Sequence, residues 1–263
     1  MRPNFFHVNA FTDKPFRGNP AAVLLLDSDR PDQWMQSFAA DMNLSETAFV
    51  VRRDRGFGLR WCTPAVEVDL CGHATLASAH VLWEQGIVSP EESIEFHTRS
   101  GILTASRRGD GTELDFPAKP AEAIAAPDSL SEALGARTKY VGRNQFDYLT
   151  ELESDRAVRD LKPDFSSLRR INARGFIVTA RSDDPRYDFV SRFFAPAVGI
   201  DEDPVTGSAH CCLAPFWAAK LGKSQMLGYQ ASNRGGEVGV RLAGSRVFLL
   251  GHAVTLVAGN LGI

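Results

Sequence analysis

Arg60-Trp61-Cys62-Thr63-Pro64-Ala65-Val66-Glu67-Val68-Asp69 recurs in altered form as Arg192-Phe193-Phe194-Ala195-Pro196-Ala197-Val198-Gly199-Ile200-Asp201. Aligned without a gap, five of the ten positions are identical, and Trp/Phe and Val/Ile match in kind. Beyond each copy a glycine opens a helix-like stretch that closes at another glycine. These run from Gly72 to Gly86 and from Gly207 to Gly222, the second copy being three residues longer before its first glycine. Glycine just past a helix end is a common left-handed terminator. The repetition reads as an internal duplication, two similar halves in one chain. Such halves are expected to pack about a pseudo-twofold axis, which would bring the two helix starts toward each other across a cleft.

That expectation has a chemical consequence. A helix N-terminus presents unpaired N–H groups and about half a positive charge. Two of them facing one cavity suit an anion, with no lysine or metal required. A small carboxylate is the natural guest.

Outward from the repeat, the chain is rich in strand signals. Phe5 to Phe11 and Ala21 to Leu26 flank the turn residues Gly18-Asn19-Pro20 and read as a hairpin. Pro31 to Met42 has Trp34, Phe38 and Met42 on one helical face. Short strands are expected at 46–51, 57–62, 93–97 and 103–107, then at 140–141, 148–152, 176–180, 238–242, 247–250 and 254–257. Ala and Pro crowd residues 114–130, which read as a linker. The fold class is α+β. The halves fall at 1–118 and 119–263, with the terminal segment free to cross back to the first half.

Composition narrows the function. The chain has 263 residues, 44% hydrophobic and 23% charged, as expected of a globular protein. A net charge of -3 gives no basic footprint for nucleic acid. No apolar run approaches the ~18–20 residues of a membrane helix, and the N-terminal residues lack the apolar region of a signal peptide. Cys62, Cys71, Cys211 and Cys212 do not form a disulfide framework. A cytoplasmic location with reduced thiols is the expectation.

Three runs could carry chemistry. Glu46, at the mouth of an apolar strand, could be a general base or simply a solvated acid. Cys71-Gly72-His73 opens the first helix. His73 could shuttle a proton there, and Cys71 could be a low-pKa thiol or a buried small hydrophobe. Glu202-Asp203-Pro204-Val205-Thr206-Gly207-Ser208 gathers a carboxylate, two hydroxyls and free N–H groups at the second helix start. Metal-site spacings, nucleotide-binding glycine loops and the nucleophile elbow are absent from the sequence, so no metal or cofactor is expected.

These motifs, together with Phe11-Thr12-Asp13-Lys14-Pro15-Phe16-Arg17-Gly18-Asn19-Pro20-Ala21-Ala22-Val23 and Asn43-Leu44-Ser45-Glu46-Thr47, resemble the PhzF-like family of phenazine biosynthesis, in the same order. The resemblance implies the diaminopimelate-epimerase-like fold, two similar domains each with a curled, mostly antiparallel sheet around a central helix. It implies a cofactor-free isomerase similar to trans-2,3-dihydro-3-hydroxyanthranilate isomerase, shifting a proton on a small carboxylate. Glu46, His73, Asp203 and Ser208 fall on the family's catalytic positions. Asn19, Gly72, Thr206 and Gly207 fall on positions that would hold substrate. Family members commonly form homodimers. Epimerases of this fold use two opposed thiols, whereas Thr206 stands where a second cysteine would be. An amino-acid or imino-acid epimerase, or an idle binding protein on the same fold, are the alternatives.

Overall fold

Two parallel strand pairs in each half of the chain set the architecture, because a parallel pair needs a long crossover and each crossover here is helical. The computed structural model describes residues 4–127 and 129–262. It divides into two compact units, one of residues 1–116 with 250–263 and the other of residues 117–249.

Unit 1 runs β1 (Phe5–Ala10), β2 (Asn19–Leu26), α1 (Asp32–Met42), β3 (Glu46–Arg52), β4 (Phe57–Cys62), β5 (Glu67–Val68), α2 (Gly72–Glu84), β6 (Ile94–Thr98), β7 (Gly101–Arg108) and β8 (Gly111–Pro117). Unit 2 runs β9 (Glu122–Ala123), α3 (Leu130–Leu134), β10 (Tyr140–Arg143), β11 (Asp147–Glu151), α4 (Asp155–Arg159), α5 (Phe165–Arg170), β12 (Gly175–Arg181), β13 (Phe189–Ala195), a 3-10 turn (Pro196–Val198), β14 (Ile200–Asp203), α6 (Gly207–Leu221), β15 (Gln225–Gln230) and β16 (Gly236–Ala243). β17 (Arg246–Gly251) leads back to unit 1, where β18 (Ala253–Gly259) pairs with β1.

The duplication is visible in the ladders. In unit 1, β1–β2 is antiparallel, β2–β3 parallel, β3–β4 and β4–β5 antiparallel, β4–β6 parallel and β6–β7 antiparallel. Unit 2 repeats the series step for step with β10, β11, β12, β13, β14, β15 and β16. The α+β expectation therefore holds, with a curled, mostly antiparallel sheet in each unit.

Each sheet wraps one helix. Ten of the thirteen residues of α2 are buried, against β1, β2, β3, β7 and β18. Of α6, Gly207, Ala209–Ala214 and Trp217 are buried. Neither helix has a polar face of its own, as expected of helices inside a core. α1 covers the other side of its sheet, with Trp34, Phe38 and Met42 against Leu24 and Phe49.

The register corrects the ungapped alignment of the two copies. Arg60 and Arg192 hold equivalent ladder positions, but Glu67 matches Glu202, five residues before each helix glycine, so Asp69 does not match Asp201. The three extra residues lie in the Pro196–Val198 turn region. Each arginine grips its glutamate through two bonds: Arg60 to Glu67 at 2.7 and 2.6 Å, Arg192 to Glu202 at 2.7 and 2.9 Å. The linker expectation is also corrected. Leu114–Phe116 complete β8, and Glu122–Ala123 form β9, so the crossing segment is shorter than 114–130. The short helices α3, α4 and α5 lie outside the elements read from sequence, being only five or six residues long.

Arg192 is more enclosed than Arg60, and its Nη1 also donates to the Leu161 carbonyl at 2.7 Å. Removing one partner of an enclosed pair leaves the other charge stranded. Arg192→Met is expected to cost about 3 kcal/mol in urea unfolding, and Arg60→Met clearly less because Arg99 still pairs with Glu67 at 2.7 Å.

Candidate active site

Unit 1 brings Asn19, Glu46, Cys71, Gly72 and His73 together. The hairpin loop after β1 closes at Gly18, whose φ of +65° and proximity to the Ala10 carbonyl exclude a side chain; a Cβ there would lie 2.2 Å from that oxygen. This delivers Asn19, fully buried, at the first position of β2. β3 begins at Glu46, in register with Ala21 of β2. The period-2 alternation then turns Thr47 to the opposite side of the sheet from Glu46 and Ala48. α2 supplies His73 as its second residue, after an N-cap Cys71 that makes no side-chain cap.

The three polar groups form a relay. His73 Nε2 lies 3.0 Å from Glu46 Oε2, and Asn19 Nδ2 donates to His73 Nδ1 at 3.1 Å. The His73 and Glu46 side chains are 5% and 13% exposed, so the pair is shielded from bulk water. Glu46 Oε2 receives no well-aligned hydrogen bond, although the imidazole is near. A shielded carboxylate oxygen with an open lone pair is suited to accept a proton.

Electrostatics favour a proton on His73. Burial alone would strip it; Cys71 and Glu46 oppose burial and hold the imidazole well above its ordinary value. At neutral pH Glu46 is the effective partner, because burial first, and then Glu46, push the Cys71 thiol up to about 11. Of the two readings of Cys71, the buried small hydrophobe is the one that fits. The Asn19 bond fits a ring protonated on Nε2 alone, while the carboxylate favours the doubly protonated ring. A histidine held between those states can pass a proton without moving.

Glu46, Cys71 and His73 offer ligand atoms within 4.8 Å of one another, a donor set with the chemistry of a zinc site. Cys71 Sγ is 3.6 Å from Nδ1 and 3.9 Å from Nε2.

Unit 2 brings Asp203, Thr206, Gly207 and Ser208 together at the start of α6. Asp203 ends β14, and its Oδ2 accepts from Thr206 Oγ1 at 2.5 Å. Gln230, fully buried on β15, clamps this corner. Its Oε1 accepts from Thr206 N at 2.9 Å, and its Nε2 donates to the Asp203 carbonyl at 2.8 Å and to Thr206 Oγ1 at 3.2 Å. The Thr206 hydroxyl has thus committed its proton to Asp203. Ser208 differs, since its Oγ accepts from Arg174 Nη2 at 3.1 Å and keeps its own proton. Sequence reasoning passed over Gln230 and Arg174. The glycine opening β12, next to Arg174, was the only local mark in the chain.

The copies now align residue by residue at the helix starts: Cys71 with Thr206, Gly72 with Gly207, His73 with Ser208 and Thr75 with His210. Thr75 Oγ1 and His210 Nδ1 both donate to the carbonyl four residues back, at 2.5 and 2.8 Å. Glu46 aligns with Gly175, each the first residue of its strand ladder.

The model of the phenazine biosynthesis-like protein family, PhzC-PhzF, matches residues 8–259. The chain belongs to the PhzF family. It is 55% identical to an uncharacterised isomerase of Halalkalibacterium halodurans over 99% of both chains. The crystal structure of a PhzF-family phenazine biosynthesis protein from Enterococcus faecalis superposes with a TM-score of 0.94, at 40% identity and covering 98% of each chain. A hydroxyproline epimerase from Agrobacterium vitis shares the fold at a TM-score of 0.63, with 12% identity and covering 98% of this chain and 93% of that one. This PhzF member is an isomerase with the diaminopimelate-epimerase-like fold. Among its described residues, no helix is long and apolar enough to cross a membrane.

Two outcomes are expected from the burial of Cys71 and His210. Cys71 is 6% exposed with a thiol pushed up to about 11, so iodoacetamide at pH 8 is expected to label it far more slowly than free glutathione, with the rate climbing as pH approaches that value. His210 is fully buried and depressed by burial to about 4. The unfolded chain takes up this proton near 6.5 and the folded chain only near 4, so stability falls as pH drops through that window. The loss is about 3 kcal/mol, and His210→Gln should show a correspondingly flatter stability profile between those pH values.

Proposed function

We propose that this isomerase shifts a proton on a small carboxylate without a cofactor, in the manner of trans-2,3-dihydro-3-hydroxyanthranilate isomerase. The observation that carries the reading is the shielded Glu46–His73 pair at the start of α2, with a carboxylate oxygen lacking an aligned donor. Glu46 takes the proton from a substrate carbon, and the electron pair left behind spreads into the unsaturated system conjugated with the substrate. The protonated Glu46 returns the proton to a second carbon, so nothing is oxidised or reduced. His73 Nε2–H, beside Oε2, steadies the carboxylate and can exchange the proton with it. Ser208 donates its free hydroxyl proton to the substrate, while Asp203 and Gln230 hold the Thr206–Gly207 corner rigid. A positioned base of this kind contributes roughly 10²–10⁴-fold.

Inversion by two bases has less support. The position equivalent to Glu46 is Gly175, where a Cβ would meet the Phe193 ring at 2.3 Å, and the position equivalent to Cys71 is Thr206. Cys71 itself is a thiol at neutral pH. One base, taking and returning a proton, fits these groups.

In deuterium oxide, with trans-2,3-dihydro-3-hydroxyanthranilate as the probe, the wild type is expected to convert it with deuterium incorporated at carbon. Glu46→Gln should lower that rate by about two orders of magnitude or more, while still binding the probe. NMR of the product checks this. Exchange by Glu46→Gln at the wild-type rate would remove Glu46 as the base.

A further inference from the structure

Where unit 1 opens β3 with Glu46, unit 2 opens β12 with Gly175, and the residue just before it is Arg174. The guanidinium is built in. Arg174 Nε donates to Asp147 Oδ1 at 2.9 Å, and Nη2 to Asp147 Oδ2. The Asp147 side chain is 1% exposed and Arg174's 37%. The Phe146 and Phe193 rings lie 5.1 and 5.8 Å from the guanidinium carbon, and Arg174 N bonds the Phe146 carbonyl at 2.9 Å. Asn144 Oδ1 accepts from the backbone N–H of both Phe146 and Asp147, fixing the turn that presents the aspartate. From this mount Nη2 reaches Ser208 Oγ at 3.1 Å.

We infer that Arg174 is a positioning residue that turns the Ser208 hydroxyl into a dedicated proton donor for an oxygen of the bound carboxylate. Arginine can only donate, so Ser208 Oγ must accept from it. The single hydroxyl proton then points away from the guanidinium, and the rotor loses its freedom before substrate arrives. Such preorganisation raises affinity by removing an ordering cost from the binding step. Asp147 neutralises Arg174, so the arginine supplies direction rather than net charge. Thr206, the other hydroxyl at this helix start, directs its proton to Asp203, which leaves Ser208 as the hydroxyl donor of the corner. The inference rests on the reading of Ser208 as a group that touches substrate.

Anthranilate, a small aromatic carboxylate, serves as the probe, titrated into the wild type, Arg174→Met, Ser208→Ala and the double variant. Arg174→Met and Ser208→Ala are each expected to weaken binding about tenfold, and the double variant no more than Ser208→Ala alone, because coupled groups are not additive. If Arg174→Met weakens binding equally with and without the Ser208→Ala substitution, the inference is overturned, as it is by no weakening at all. Arg174→Lys keeps a charge beside Asp147 but cannot span both partners, and guards against a misfolded Met variant. In its crystal structure Ser208 is expected to leave the wild-type rotamer, and an unmoved Ser208 would also overturn the inference. A wild type that takes up no anthranilate at millimolar concentration would count against the carboxylate reading, while the Ser208 rotamer still decides the role of Arg174.

Discussion

A helix enclosed by its own sheet can meet polar partners freely only at its ends. In α2 and α6 this constraint governs the rest of the structure. Along their length, every polar side chain that is buried must find a bond inside the core. Thr75 and Ser78 bond carbonyls of the preceding turn, and Trp217 Nε1 donates to Thr179 Oγ1. The first turn escapes that demand, since its N–H groups have no carbonyl ahead of them. Neither Cys71 nor Thr206 caps them with a side chain. The groups proposed to carry the chemistry collect where the helix ladder has not yet begun.

The same scaffold then serves two purposes. In the first copy the strand start and helix start hold Glu46 and His73, a pair that can exchange a proton. In the second they hold Gly175 and Ser208, with Arg174 donating to both Asp147 and Ser208. The Phe193 ring occupies the space a side chain at residue 175 would need, so the divergence is fixed by packing as well as by residue identity. The bidentate arginine–glutamate grip survives in both copies because it joins neighbouring strands and is independent of what the helix start does.

Much of this was legible in the chain. The repeated Arg-to-Val stretch and the glycine-bounded helices disclosed two copies of one unit, because glycine and proline mark backbone geometry directly. Helix α1 followed from the spacing of Trp34, Phe38 and Met42. The gap in the repeat was misplaced because Asp201 offered a matching aspartate, while the true partner of Glu67 is set by hydrogen-bond register with β4 and β13. The segment 114–130 looked like a linker because its prolines hide that Leu114 and Phe116 alternate into a core. Arg174 and Gln230 went unread for a different reason. Each acts through residues 34 and 24 positions away, and no local pattern announces a partner at that distance. The choice between a low-pKa and a buried Cys71 stayed open for a related reason, since burial belongs to the fold and not to the motif.

The path of the chain has a practical corollary for dissecting the molecule. β18 lies along the whole of β1, and Asn4 holds the strand's end through bonds to Gly259 and Leu261. A fragment stopped at Phe116 would therefore bare one edge of β1 and open the wall around α2. Anyone wishing to express the first unit alone would do better to permute the chain, joining residues 250–263 ahead of residue 4 through a short spacer. That rearrangement supplies the missing strand locally and turns a discontinuous unit into a continuous one.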